Sequence, residues 1–453
     1  MSQKKIASKQ KEIKVESSSD EETNSEVESS SDEESDNELG EESSIEIELS
    51  LNKESKSEEN SSSSEEESDD KKDNTKERGQ YFTTDNTLQK KVYQFVKNKP
   101  SKILEPSVGR GDLVKYVNRF NKKVKFDCYE IDGNIKFIID SKNIKIEDFL
   151  KSKNYCKYKT IIGNPPYVKT KTGNLYLDFI WKCFCLLCDK GELIFIIPSD
   201  FFKLTSSKKI LKEMIKEGTF TDIYHPHNET LFKNASIDVL IFRYCKNKDL
   251  SKVVLYNDKK MHLIENDGIV TFSNDIVKEK VSIDKYFDIY VGLVSGKENV
   301  FKNSDLNNIE ILNNQNKIDK YIYITNYPSE NEYINKYLLD NKNVLIKRKI
   351  KKFNESNWYQ WGAPRNIRVM EEKKGTECIY VKNLTRHNTV AFGGNVRYFG
   401  GALLIMIPKK KVNIQNVIDY LNSEQFKGNY IYSGRYKIGH KQLSKAYIPK
   451  EIL

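Results

Sequence analysis

The sequence predicts an α/β fold in its middle third, a mostly parallel sheet with helices packed on it, and three observations carry that prediction. Between residues 85 and 245, short β-branched apolar runs alternate with stretches of helical spacing. Glycines close several of these elements, as at Gly191 and Gly218. The carboxylates and the amide that interrupt the apolar pattern fall at the carboxyl ends of the strands, where open α/β sheets bind their ligands.

The elements follow in order. Residues 87–97 (TLQKKVYQFVK) space their apolar side chains as a helix does, and KILEPSVGRGD (102–112) reads as a strand, a glycine-punctuated turn and the start of a helix, DLVKYVNRF. KVKFDCYEID (123–132) is a second strand ending in carboxylates, and KTIIG (159–163) is another, ending at Asn164. YLDFIWKCFCLLCDKG reads as an apolar helix that stops at Gly191. GELIFIIPSDFF (191–202) is a further buried strand, TSSKKILKEMIKEG a capped helix stopped by Gly218, and TFTDIYHPH with ASIDVLIFRYCK a pair of strands. Glu105, Glu130, Asp148 and Asn164 thus stand at strand ends.

Composition divides the rest. The chain has 453 residues and a net charge of +9, but residues 1–78 hold 26 acidic against 11 basic side chains and the remainder 64 basic against 40 acidic. An acidic, serine-rich tail without aromatics cannot bury enough apolar surface to offset the entropy of ordering, so residues 1–78 are expected to be disordered. After about residue 250 the alternation stops and short β-type runs (YIYITNY, NVLIKRKIKKF, ECIYVKNL, GALLIMIPKKK) point to a second domain of mixed α+β character. The expected division is therefore tail 1–78, α/β domain 79–250 and second domain 251–453, and a chain cut near residue 250 is expected to keep its ligand. Seven scattered cysteines fit a reducing compartment, and Cys183, Cys185 and Cys188 at helical spacings of two and three do not aim three thiolates at one centre, so no metal site is expected. No leader or long apolar span is visible, which predicts an intracellular protein that is neither secreted nor held in a membrane.

IIGNPPYVKT (161–170) carries the chemistry. Two prolines lock φ and lack N–H groups, so the backbone leaves the strand end as a stiff hook. That hook can hold the Asn164 side-chain oxygen and the Pro165 carbonyl as two fixed acceptors, with the Tyr167 ring beside them. An exocyclic amine on a heteroaromatic ring offers two N–H donors, and two acceptors gripping them favour a more tetrahedral, more nucleophilic nitrogen. Taken alone, NPPY is equally a surface turn after a strand.

It is not alone. GQYFTT (79–84), ILEPSVGRGDLV (103–114), YEID (129–132), EDFL (147–150), NPPY (164–167), GELIFIIPSDFF (191–202) and ETLFKNASIDVLIFRY (229–244) succeed one another along the chain. This series resembles the gamma-class, Taq-type N6-adenine DNA methyltransferases of restriction–modification systems, over residues 79–245 and again in VGLVSGKENVF (291–301). The resemblance implies a Rossmann-like, seven-stranded methyltransferase domain that binds S-adenosylmethionine, followed by a DNA-recognition domain. It implies that Glu105, Pro106, Gly109 and Gly111 wrap the methionine part of the cofactor, with Thr83 on the same moiety. Glu130 would accept from both ribose hydroxyls, Asp148 from the cofactor adenine amine, and Phe149 would pack on that adenine. Asn164 and Pro165 would grip the target N6, with Tyr167 and Phe232 stacking on the flipped base. The implied partners are double-stranded DNA, bound by a monomer at a short palindrome such as TCGA, and a cognate restriction endonuclease.

Each residue also has a plainer reading, Glu130 or Asp148 as a solvated strand end or helix cap and Phe232 as core. For base reading, the second domain offers the basic strand KRKIKKF (347–353), WYQWGAPRN (358–366), NLTRHN (383–388) and SGRYKIGHKQ (433–442), with Arg365 and Arg386 foremost. Three alternatives stay open: an RNA N6-adenine methyltransferase, a protein-glutamine methyltransferase with the same NPPY pocket, and a non-catalytic DNA-binding module.

Overall fold

In a computed structural model the chain is described for residues 81–170, 173–232, 236–247, 249, 251–274 and 279–453; the tail 1–78, with its expected disorder, lies outside the described residues. The central strands are β1 (Lys102–Glu105), β2 (Lys125–Glu130), β3 (Ile144–Ile146), β4 (Tyr158–Gly163), β5 (Leu187–Pro198), β6 (Thr219–Tyr224) and β7 (Val239–Cys245). They lie in the order β3-β2-β1-β4-β5-β7-β6. Neighbours are parallel except β7, which runs antiparallel to both β5 and β6. The α/β expectation holds, and the reversal from β1 outward places the β1 and β4 ends side by side, where such sheets form their ligand crevice.

Helices cover both faces. Helix α1 (Asn86–Phe95), capped by the Asp85 carboxylate on the Leu88 N–H at 2.8 Å, and helix α2 (Asp112–Phe120) pack on one side. Helices α3 (Leu175–Leu186) and α4 (Lys208–Glu217) pack on the other. Side chains of a strand alternate between faces. Ile194, Ile196, Val239 and Ile241 therefore meet Leu88 and Val92, while Leu193, Phe195, Leu240 and Phe242 meet Ile180 and Met214. A strand buried on both faces reads as a continuous apolar run, which is why β5 and β7 were legible.

Three boundaries moved. Helix α3 ends at Leu186 rather than Gly191, because Leu187 already pairs with Tyr158 of β4. At the other end of β5, Ser199–Phe202 is a 3₁₀ turn rather than strand. The sheet also does not stop near residue 250: β8 (Val253–Tyr256) adds parallel to β6, and β9 (Lys259–Asn266) and β10 (Ile269–Ser273) extend it as antiparallel hairpins. Their turns, Asn257-Asp258 and Asp267-Gly268, all have positive φ, the geometry that suits a two-residue hairpin loop.

That extension shares a core with the α/β domain. Val254, Leu263, Val270 and Phe272 pack with Phe202, Leu211 and Met214. Each fully buried side chain is worth about 1.5–3 kcal/mol, so losing four removes an amount comparable to a whole domain's net stability. A chain ending at residue 250 should therefore fail to show a cooperative thermal transition, whereas one ending after Ser273 keeps the sheet. Circular dichroism melts compare the two; a sharp transition in the shorter chain would return the boundary to 250.

Beyond it, a four-stranded antiparallel sheet has the order Phe287–Val291, Leu403–Pro408, Glu377–Lys382, Ala391–Asn395, with Ile414–Leu421 packed on it as a helix. Lys280–Ser282 pairs with Tyr447–Pro449, and Asn429 mimics a strand by bonding both the N–H and the carbonyl of Phe272 at the sheet edge. No helix of the described residues is long and apolar enough to cross a membrane.

Candidate active site

The turn after β1 builds one wall. It leaves the sheet through Glu105 and buried Pro106 and folds back at Gly109 (φ +54°) and Gly111 (φ +97°), conformations that suit glycine. A Cβ at Gly111 would stand 2.6 Å from the Ile139 side chain and one at Gly109 3.2 Å from the Phe82 ring, so both close approaches are to the protein itself. Glu130, at the end of β2, fastens this turn: its Oε2 accepts from the Gly109 N–H at 2.8 Å, and its Oε1 from the Ile131 and Asp132 N–H groups at 3.0 Å each. A carboxylate has about four acceptor sites, and these three backbone N–H groups occupy three of those of Glu130.

Two buried carboxylates show what is unusual about Glu105. Glu192 is fully buried and takes hydrogen bonds from the Lys97 and Asn98 N–H groups, the Thr160 hydroxyl and the Arg243 guanidinium. Glu105 is 1 % exposed, yet among the described residues neither of its oxygens has a formed hydrogen bond. Burial pushes its pKa well above the ordinary carboxylate value; the Ser107 N–H partly opposes that, and the charge of Glu130 adds to it. Its Oε1 lies over Gly163, where a Cβ would sit 3.0 Å away. Because a buried charged group without a partner is costly, an unpartnered carboxylate facing a cavity marks a place for a cation. That cavity is lined by Tyr81, Phe82, Thr83, Glu105, Ser107, Val108, Gly109, Asp112, Leu113 and Asn164.

Asn164 stands at the opposite wall, at the end of β4. Its amide nitrogen donates to the Tyr81 carbonyl at 2.8 Å and to the Thr83 hydroxyl oxygen at 3.1 Å. With both N–H groups engaged by acceptors, the amide has one orientation, and Oδ1 faces Tyr167. The Tyr167 hydroxyl donates to that Oδ1 and lies 3.0 Å from the Ile196 carbonyl. One proton cannot serve both acceptors at once, and Oδ1 keeps a second lone pair. Burial, reinforced by Tyr81, raises the Tyr167 pKa well above its usual value and keeps it a donor. Among the described residues no donor reaches the Pro165 carbonyl.

The aromatic residues converge more tightly than expected. Tyr81 stacks on Tyr167 at 5.7 Å between ring centroids and lies 5.8 Å from Phe232, with Tyr167 and Phe232 6.4 Å apart and nearly perpendicular. Tyr81 covers a face of Tyr167, so a base stacked on that face requires Tyr81 to move. Asp148 accepts from the Leu150 N–H at 2.9 Å and pairs with Lys151, so it caps the turn that follows β3. Phe149 is 2 % exposed and packs between Tyr129 and Phe179 in the core, and it does not line the cavity. The exposed apolar side chain beside Glu130 is instead Ile131, 65 % exposed. Ile131, Tyr81 and Asp112 were not singled out from the sequence, although Tyr81 lies within the quoted GQYFTT.

The family described as Eco57I restriction-modification methylase matches residues 5–232, a span that holds the whole cavity and ends at Phe232. The chain belongs to that family. Among curated proteins, this Eco57I-family chain is similar to the type II methyltransferase M.HindII of Haemophilus influenzae, 29% identical over 289 residues, 48% of this chain and 54% of that protein. It is also similar to M.HincII of Haemophilus influenzae, 32% identical over 198 residues and 38% of each chain. The modification methylase CviBIII of Paramecium bursaria Chlorella virus NC1A is 38% identical over 117 residues, 21% of this chain and 30% of that protein. The chain spans about half the length, or less, of these relatives. The solved structure of the type IIL restriction-modification enzyme MmeI in complex with DNA shares the fold, with a TM-score of 0.52 at 11% identity over 80% of this chain and 64% of that one.

In the C-terminal half of this Eco57I-family chain, the base-reading candidates separate. KRKIKKF is not a strand: Lys342–Ile346 is a short helix, and residues 347–353 are irregular. Arg348 is buried, donates to the carbonyls of Ser295, Leu345, Trp358 and Gln360, and lies on the Phe353 ring, so it organises WYQWG rather than facing outward. Trp358 and Trp361 are core. Arg365 is half-buried, while Arg386, His387, Asn388 and Thr389 form an exposed loop.

Proposed function

We propose that this chain transfers a methyl group from S-adenosylmethionine to the N6 amine of adenine in duplex DNA, after the base leaves the helix. The observation that supports it most is the buried, unpartnered Glu105 carboxylate in one cavity with an Asn164 whose oxygen is forced toward Tyr167. Glu105 suits the α-ammonium of the cofactor, the Ser107–Gly111 turn its amino-acid part, and Glu130 one ribose hydroxyl. Ile131, with Asp148 on the neighbouring strand end, replaces Phe149 as the candidate contact for its adenine. S-adenosylmethionine supplies the methyl as an electrophilic carbon beside a sulfonium.

The chain's own residues do the rest. Asn164 Oδ1 and the Pro165 carbonyl accept from the two N–H groups of the target amine, which draws its lone pair out of the ring and makes it a nucleophile as the methyl arrives. The N–CH3 bond forms as the S–CH3 bond breaks with its electron pair left on sulfur, and the extra proton on the nitrogen passes to solvent. No cysteine nucleophile is used, in keeping with the absence of any Pro-Cys pair in the sequence. Duplex binding falls to the basic body, and Arg386 in the exposed loop is the foremost base reader.

Two experiments test this. Incubation of mixed duplex DNA with labelled cofactor, followed by nucleoside analysis and mapping, should yield N6-methyladenine at defined sites. Label in structured RNA or in protein glutamine instead would move the activity to one of the alternatives. Within the site, Thr83→Val removes an acceptor that orients the Asn164 amide and should lower turnover about tenfold, roughly the worth of one hydrogen bond, with Thr83→Ser restoring it. Equal turnover in the valine variant would show that the Tyr81 carbonyl alone suffices.

A further inference from the structure

Asp238 joins four pieces of chain. It immediately precedes β7, and its Oδ2 accepts from the Ser199 hydroxyl at 2.7 Å, from His225 Nε2 at 2.9 Å and from the backbone N–H of Ser433 at 3.0 Å. His225 is itself held, with Nδ1 2.9 Å from the Tyr256 hydroxyl. Ser433 belongs to the hairpin of Ile431–Tyr432 and Arg435–Lys437, whose two turn residues, Ser433 (φ +48°) and Gly434 (φ +69°), both lie in the left-handed region. That turn geometry aims the Ser433 N–H at the carboxylate. Arg435, on the same hairpin, lies 3.8 Å from Glu229. In sequence, Glu229 and Asp238 stand on either side of Phe232, so the hairpin of the C-terminal half grips the Phe232 segment at both ends.

We propose that Asp238 is a positioning residue, through which this hairpin holds Phe232 beside the target-base pocket. The inference rests on the methylation reading above and deepens it: recognition and stacking are mechanically joined, so the base is held only when the C-terminal half is seated. The Ser199–Asp238–His225 group is not a nucleophilic triad, since serine and histidine both bond to the aspartate and not to each other.

The test is a double-mutant cycle on duplex DNA at saturating cofactor. Asp238→Ala should lower turnover by about 10- to 100-fold, the effect of a displaced contact, without changing cofactor affinity. Phe232→Ala should cost a comparable amount, and adding Asp238→Ala to it should cost little more, because the aspartate acts through the ring. Losses that multiply independently, or wild-type turnover in Asp238→Ala, overturn the proposal. If Asp238→Ala does not fold, Glu229→Arg takes its place: it turns the half-buried ion pair with Arg435 into a repulsion, and its loss must likewise vanish with Phe232→Ala. The unmodified chain is the control; without methylation of duplex DNA the catalytic reading fails first, and this one falls with it.

Discussion

Asn164→Ala should lose about 10²–10³-fold in turnover, the scale set by removing one preorganised dipole from a charge-developing site. The side chain is anchored by its nitrogen to the Tyr81 carbonyl and Thr83 hydroxyl, so its oxygen needs no reorganisation when the amine arrives. Cofactor affinity should hardly change, because Thr83 stays tied to α1 through Gln89 at 2.7 Å and Glu105 is untouched. Asn164→Asp should not rescue: a second carboxylate oxygen would face the Tyr81 carbonyl, acceptor against acceptor. Single-turnover assays with labelled cofactor, beside calorimetric binding, separate the two quantities. Unchanged turnover in the alanine variant would falsify the role assigned to this amide.

Glu105→Gln should weaken cofactor binding by about 1.5–3 kcal/mol, the worth of a hydrogen bond to a charged group. It should also abolish a pH dependence. In the free protein, burial raises the Glu105 pKa well above its usual value, so its proton is held to higher pH than that of an exposed carboxylate. An ammonium bound against the carboxylate favours the ionised form, so binding expels that proton. Affinity therefore rises with pH up to the raised pKa and is flat above it. Titration calorimetry in buffers of different ionisation heat should show proton release for the wild type and none for the glutamine variant.

Stability moves the other way. The raised folded pKa contributes stability that is complete below the unfolded value, about 4.3, and is lost as pH rises through the folded pKa. Glutamine removes that loss, so the variant without cofactor should melt higher than the wild type at neutral pH. Wild-type affinity with the same pH profile would show that the cation sits elsewhere.

The α/β class, the turn after β1 and the stiff hook at Asn164 were all legible in the sequence, because each depends on neighbours within a few residues. Buried strands must be apolar on both faces, glycine is favoured where φ is positive, and consecutive prolines stiffen any chain. Even β8–β10 carry a local signal in their Asn-Asp and Asp-Gly turns, although the strands themselves are half polar and show no clear apolar period. β3 was too short for its period to register.

What only the tertiary structure decided are the contacts between segments far apart in the chain. Phe149 lies in the core and Ile131 outside, since the face a side chain takes depends on what packs over it. Arg348, within the most basic run of the C-terminal half, is consumed by carbonyls and a ring. The Asn164 amide takes its orientation from Tyr81, 83 residues away, and the Phe232 segment is gripped by a turn 195 residues beyond Asp238. Sequence patterns report local geometry and the burial of whole faces. Which single donor meets which single acceptor depends on packing, and only the folded chain brings those partners together.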